Sequence, residues 1–153
     1  MQVTRSPLAL LDTPPVWLLA ALALAWAQAE WVPFWPAGGL LFAAAWGMIA
    51  SAVLLFADAA LRFARARTTI VPREVPRTLL TTGAYRVSRN PIYLADALLL
   101  AGCVLLWDLG GLVLVAAFVL VITQRFIKGE EAVCAATFGT EWQAYSARVR
   151  RWL

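Results

Sequence analysis

Residues 91–127 read PIYLADALLLAGCVLLWDLGGLVLVAAFVLVITQRFI, and this stretch decides the fold. Two apolar runs, 91–107 and 111–127, flank Asp108-Leu109-Gly110-Gly111. So short a connection makes them an antiparallel helical hairpin. Asp96 is the only charged side chain in the first run. Asn90-Pro91 opens that run with a helix-start signal: Asn is suited to cap free N–H groups, and Pro fits the first helical position.

Working towards the N-terminus, residues 38–61 form a clear apolar span, about 36 Å long at the helical rise. Asp58 and Arg62 stand four apart near its end and are expected to pair. Residues 16–30 give a shorter span after Pro14-Pro15, helped by Leu8–Leu11 or by tilt. It ends in Glu30-Trp31-Val32-Pro33-Phe34-Trp35-Pro36, an aromatic belt of the kind found at a membrane interface. Its flanks carry no clear cleavage site, so the segment reads as retained.

The chain has 153 residues, 62% of them apolar and 14% charged, which leaves no room for a separate soluble domain. The expectation is an all-α integral membrane protein: one membrane domain over 1–153, with about four spans and a C-terminal amphipathic, interfacial helical segment. Loop 62–90 carries Arg62, Arg65, Arg67, Arg73, Arg77, Arg86 and Arg89 against Glu74, and Pro72 and Pro76 rule out one continuous helix there. The tail 128–153 is also basic, whereas the opposite turns offer only Glu30 and Asp108. Positive-inside bias then places both termini, the long loop and the tail in the cytoplasm. The Ala/Leu/Arg-rich composition suggests a GC-rich bacterial genome, hence an inner membrane. Basic residues at helix ends point to lipid headgroups rather than nucleic acid.

Gly139 is expected to stop one helix, and Thr140-Glu141-Trp142-Gln143 to open another as a capping box. In that last helix Trp142, Tyr145, Val149 and Trp152 share a face lying on the membrane or across the bundle mouth. Arg148, Arg150 and Arg151 are then free to snorkel to phosphates. The chain has no histidine. That removes Ser-His-Asp and Cys-His catalysis, makes a metal site unexpected, and leaves Cys134 without an activating base. Cys103 and Cys134 are too differently placed for a disulfide.

Two polar clusters remain. Thr81-Thr82-Gly83-Ala84-Tyr85-Arg86-Val87-Ser88-Arg89-Asn90-Pro91-Ile92-Tyr93 sets guanidiniums beside a helix N-terminus, where an anion is favoured. Arg125-Phe126-Ile127-Lys128-Gly129-Glu130-Glu131 follows the hairpin. The hairpin returns Glu130 to the side of Asn90, so Arg89, Asn90 and Tyr93 can face Glu130 and Glu131. Opposed charges suit a zwitterion with an ammonium and a carboxylate, and they equally suit a plain interfacial salt-bridge network.

TTGAYRVSRNPIYL resembles the signature T-x-G-x-Y-R-x-x-R-[NH]-P-x-Y-L of small integral-membrane methyltransferases, the isoprenylcysteine carboxyl methyltransferases and phospholipid methyltransferases among them. GEEAVCAATFGTEWQAYSARVRRWL is similar to the second part of their pattern. The resemblance covers residues 71–153; residues 1–70 agree in hydropathy alone. Ala84, Asn90 and Ala95 depart from residues frequent in the family. The resemblance implies an S-adenosylmethionine pocket, with Tyr85, Arg86, Arg89, Asn90, Pro91 and Tyr93 as one wall and Glu130 and Glu131 as the other. It implies methyl transfer to a membrane lipid or lipophilic acceptor, on the isoprenylcysteine carboxyl pattern or alternatively to a phospholipid amine. Arg86 and Arg89 would orient a carboxylate acceptor, and Glu130 would take a proton from an amine. The tail is also similar to that of sterol-type reductases, which use NADPH. A non-catalytic transport or assembly subunit is the remaining class. The sequence leaves the oligomeric state open.

Overall fold

The computed structural model describes residues 12–35, 38–66 and 77–153. Leu8–Leu11 and Arg67, Pro72, Arg73, Glu74 and Pro76 of the basic loop fall outside them. Helix α1 is Pro14–Trp31, α2 is Leu40–Ala66 and α3 is Pro91–Trp107. A 3-10 turn at Leu109–Gly111 leads to α4, Leu112–Ile122, which passes through a π turn at Thr123–Ile127 into α5, Lys128–Ser146. No strand occurs among the described residues. The chain is an all-α membrane protein, and two of its helical runs, Leu40–Ala66 and Leu109–Ser146, are long and apolar enough to cross a bilayer.

Packing follows the rules of lipid rather than water. In α2 the buried residues are Ala45, Ala52 and Ala59, one every seven positions, while Leu54 on the same helix is 71% exposed. Small side chains face the bundle and large apolar ones face outward, because close backbone approach, not burial of Leu, drives helix association in hydrocarbon. The partner surface on α3 is cut to match. A Cβ on Gly102 would lie 2.7 Å from Ile49 Cγ1 and 2.9 Å from the Ala45 carbonyl oxygen, so glycine is required for the approach.

Helix α3 is the centre of the bundle. Tyr93, Ala97, Leu100 and Val104 pack with Ala21 and Ala25 of α1 and with Phe118, Ile122, Phe126 and Ile127. The hairpin expected from residues 91–127 is present. Its turn is more than a connection, because Asp108 is 2% exposed and ties two turns together. Its carboxylate accepts from Gln28 Nε2 at 2.8 Å, the Phe34 and Trp35 amides at 3.0 and 2.6 Å, and the Gly110 amide at 2.8 Å. Burial alone would raise this carboxyl; the bonds from Gln28, Trp35, Gly110 and Phe34 outweigh it and hold the pKa below the usual carboxylate range. Sequence reading had assigned Asp108 no more than a place in an acid-bearing turn.

Two boundaries differ from expectation. Helix α2 runs to Ala66, so Arg62 and Arg65 are helical rather than part of the loop. Asp58 and Arg62 do pair, at 2.7 Å, and Asp58 also accepts the Ala84 amide at 2.6 Å, which fastens the returning loop to the last turns of α2. Gly83, at φ +58°, sits so close to the Arg62 guanidinium that a Cβ would collide with it. At the other end, Gly139 does break the helical geometry, with φ 49° and ψ −116°. The helix after it ends at Ser146, however, so residues 147–153 form a non-helical strap instead of carrying Val149 and Trp152 on one helical face.

Candidate active site

The polar site lies at the end of the bundle where α3 begins and α5 departs. Ser88, fully buried, accepts the Asn90 amide at 3.1 Å and donates to the Arg151 carbonyl at 2.9 Å. The Arg89 amide donates to the Arg150 carbonyl at 2.9 Å. These bonds lay the C-terminal strap along residues 88–90. Trp152 completes the attachment, donating from Nε1 to Thr123 Oγ1 at 3.2 Å in the π turn. Such a turn widens a helix locally and recurs at functional sites.

The hairpin brings the two clusters together as expected. Tyr93 Oη donates to Glu130 at 2.7 Å, and Arg89 Nη1 lies 3.5 Å from Glu131. Asn90 Nδ2 is 3.4 Å from Glu131 Oε1 and 3.2 Å from the Arg151 carbonyl. The expected Asn90 cap is absent, because its amide is drawn to the strap and Glu131 and makes no bond to the helix start. The Asn90 side chain thus caps none of the first-turn N–H groups of α3; its carbonyl accepts the Leu94 amide at 3.0 Å, and the amides ahead of Leu94 keep their capacity for an anion.

Arg151 is the residue that sequence reasoning misplaced. It does not serve as a lipid anchor: its Nη2 is 2.6 Å from Glu131 Oε2 and its Nε 3.1 Å from both carboxylate oxygens. This is a fork geometry that a guanidinium makes well. Glu131 is itself buried at 9% exposure, whereas Glu130 is half-buried. Arg89 carries a second signal. Its guanidinium carbon stands 5.8 Å from the Trp142 ring centre, and its buried Nε has no hydrogen-bond partner.

The aromatic face of the tail closes across the bundle mouth. Trp142 and Tyr145 are buried, and Tyr145 Oη donates to the Tyr85 carbonyl at 2.7 Å. The Tyr85 ring is edge-on to Phe63 at 6.0 Å, within a small core of Ala59 and Ala84. Burial raises both phenols well above their ordinary values. Burial, with Glu130 and Glu131, pushes the Cys134 thiol up to about 11, so it remains an inert thiol at neutral pH. Both cysteines are free. Pro91 is buried at the helix start. Arg86 is exposed at the end of the Gly83–Arg86 turn, outside the hydrogen-bond network of the cluster among the described residues.

Fold and cluster together define a small all-α membrane protein with an acid–base site at one end of its bundle. The family model for phospholipid methyltransferase matches residues 40–141, two thirds of the chain, and the protein belongs to that family. Membership implies a membrane methyltransferase. The match takes in α2, which motif resemblance did not reach, and stops before the strap that holds Glu131. No curated protein and no solved structure matches the chain.

Proposed function

We propose that this protein transfers a methyl group from S-adenosylmethionine to a lipophilic acceptor at the membrane interface. The observation that carries the reading is the opposition of Glu130, on Tyr93, to Arg89 beside the uncapped start of α3. An amino-acid end group needs one acidic and one basic wall, and the unpartnered Arg89 Nε is a donor awaiting an acceptor. In this reading Arg89 and the α3 N-terminus hold the carboxylate, and Glu130 attracts the ammonium. Asn90, Pro91 and Tyr93 shape the wall between them. Glu131 fixes Arg89, Asn90 and Arg151 in place, and Tyr85 supports the wall from behind.

When bound, the cofactor supplies an electrophilic methyl on a sulfonium. The protein's own part is alignment and exclusion of water, which in-line displacement rewards most. For an isoprenylcysteine-type carboxylate acceptor, Arg86 or Arg89 would orient the nucleophilic oxygen. For a phospholipid amine, Glu130 would receive the proton that frees the nitrogen lone pair. The family match supports membrane methyl transfer and is compatible with either acceptor. Purified protein in detergent is expected to bind S-adenosylmethionine and to pass labelled methyl to a lipid extract. Binding of NADPH without binding of S-adenosylmethionine would move the chain to the reductase reading.

The site is proposed to face the cytoplasm, with both termini and loop 62–90 on that side of a bacterial inner membrane. Arginines crowd that end, and Trp31, Phe34 and Trp35, each about 70% exposed, mark the other. A topology reporter fused after Leu153 should read cytoplasmic; a periplasmic signal there refutes the orientation.

A further inference from the structure

Helix α4 enters the π turn with Phe118 and Ile122 packed into the bundle, and α5 leaves it with Glu130 and Glu131 turned towards Tyr93, Arg89 and Arg151. An unbroken α-helix could not do both. At about 100° per residue it would set Gly129 within about 20° of Ile122 and Glu131 about 180° away. The structure has the reverse: Glu131 is buried, and Gly129 is exposed, with nothing within 4 Å of the place a Cβ would occupy. The π turn supplies the difference. The Lys128 amide donates to the Thr123 carbonyl, five residues back instead of four, so one extra residue is taken up and α5 is rotated by one position. Two contacts hold this turn from outside its own helix. Arg125 donates from Nε to Asp12 at 2.5 Å and its guanidinium carbon stands 5.8 Å from the Trp17 ring centre, while Trp17 Nε1 donates to the same carboxylate at 3.2 Å. Thr123 Oγ1 donates to the Val119 carbonyl at 2.6 Å and accepts Trp152 Nε1 at 3.2 Å. Asp12, Trp17 and Trp152 all lie outside residues 40–141, the part matched by the family model.

We infer that the π turn is the register device that carries Glu130 and Glu131 into the site, and that Arg125, held by Asp12 and Trp17, and Thr123, held by Trp152, are the positioning residues that keep it wound. A π turn is rare, and α geometry is what the backbone adopts when nothing opposes it. Loss of the outside contacts would let the helix slip by one residue, turning Gly129 inward and Glu131 away from Arg151. The start of α1, remote in sequence, thus contributes to the acidic wall. The consequence for catalysis rests on the proposed methyl transfer; the register itself does not depend on it.

The test reads the register directly, on the full chain in detergent and without a methyl donor. Gly129→Cys, at a position with open space around it, reports through its rate of thiol labelling which way that face of α5 points. Labelling is followed by mass spectrometry of the peptide holding residue 129, so the native Cys103 and Cys134 stay in place. Amide exchange at Arg89 reports the strap, which Glu131 holds through Arg151. In the Gly129→Cys protein, Arg125→Gln should slow labelling by about twofold or more as the second register fills, and should speed exchange at Arg89. General loosening would leave labelling unchanged or quicken it, so opposite movement of the two rates marks the slip. Asp12→Asn should act as Arg125→Gln does, and the double variant should add little. Deletion of the exposed Gln124 removes the extra residue. Alone it should leave both rates near wild type; combined with Arg125→Gln it should restore them, because a plain α-helix then meets both faces in register. Labelling unchanged or faster in Arg125→Gln, or a deletion that fails to fold or to rescue, would each overturn the inference. Absence of methyl transfer with both rates as expected would count against the reaction and leave the device standing.

Discussion

Glu131→Gln is expected to loosen the C-terminal strap and to speed hydrogen exchange of the Arg89 amide by about tenfold, equivalent to about 1.4 kcal/mol of local opening. That amide is a direct reporter, because it donates to the Arg150 carbonyl at 2.9 Å. Glu131 holds the strap through Arg151 at 2.6 Å and meets Arg89 at 3.5 Å. Bonds to charged groups contribute about 1.5–3 kcal/mol each when buried. The Arg151 side chain is 35% exposed, so solvent screening reduces its share and the lower figure is used. Glutamine keeps the shape and loses the charge. Arg151→Gln should open the strap to a similar degree, and the double variant should be hardly looser than either single one, since both remove the same contact. Unaltered exchange in Glu131→Gln would mean that Ser88 and Trp152 hold the strap without the ion pair.

This expectation could not be reached from the sequence, and the reason is physical. A basic cluster after an amphipathic helix has the same pattern whether its arginines reach lipid phosphate or a carboxylate twenty residues earlier. Periodicity describes a helix while it lasts; it did not reveal that the helix ends at Ser146 and turns back across Asn90. Asn90 failed as a cap for a related reason. Local preference favoured the helix N–H groups, but the strap's carbonyl and Glu131 offered tertiary partners. Asp108 was hidden because its partners, Gln28 and the Phe34 and Trp35 amides, are more than seventy residues away.

What was legible was whatever a short-range rule determines. The Asp108–Gly111 turn dictated the hairpin, and the hairpin alone brought Tyr93 to Glu130 and Arg89 to Glu131. The i, i+4 spacing gave Asp58–Arg62, and Gly139 gave the break in α5. The acid–base pairing of the site was thus readable, while the device that locks it was not. Arg86, adjacent in sequence to Tyr85, stands exposed at the end of its turn, where short-range rules assign it no partner.

Arg89→Lys is expected to reduce methyl transfer by tenfold or more, while melting stays within a few degrees of wild type. Lysine preserves the positive charge near Glu131, so much of the ion pair survives. What it loses is geometric: the planar fork, the Nε donor that is buried without a partner, and the stacking on Trp142 at 5.8 Å. A guanidinium over an indole outside bulk water contributes about 2 kcal/mol, and lysine keeps part of it, so the loss of stability is a fraction of that. A tenfold fall in kcat/KM corresponds to about 1.4 kcal/mol of lost transition-state stabilisation, the scale of one well-aligned charged bond. Because Asn90 does not cap α3, the helix start is unaffected by this exchange, and the variant isolates the donor fork. Parallel measurement of S-adenosylmethionine affinity separates the two roles proposed for Arg89. Weaker binding with kcat preserved assigns it to the cofactor carboxylate; reduced kcat with binding preserved assigns it to acceptor orientation. Turnover and affinity both at wild-type level would make Arg89 a structural partner of Glu131 and Trp142, and would remove it from the site.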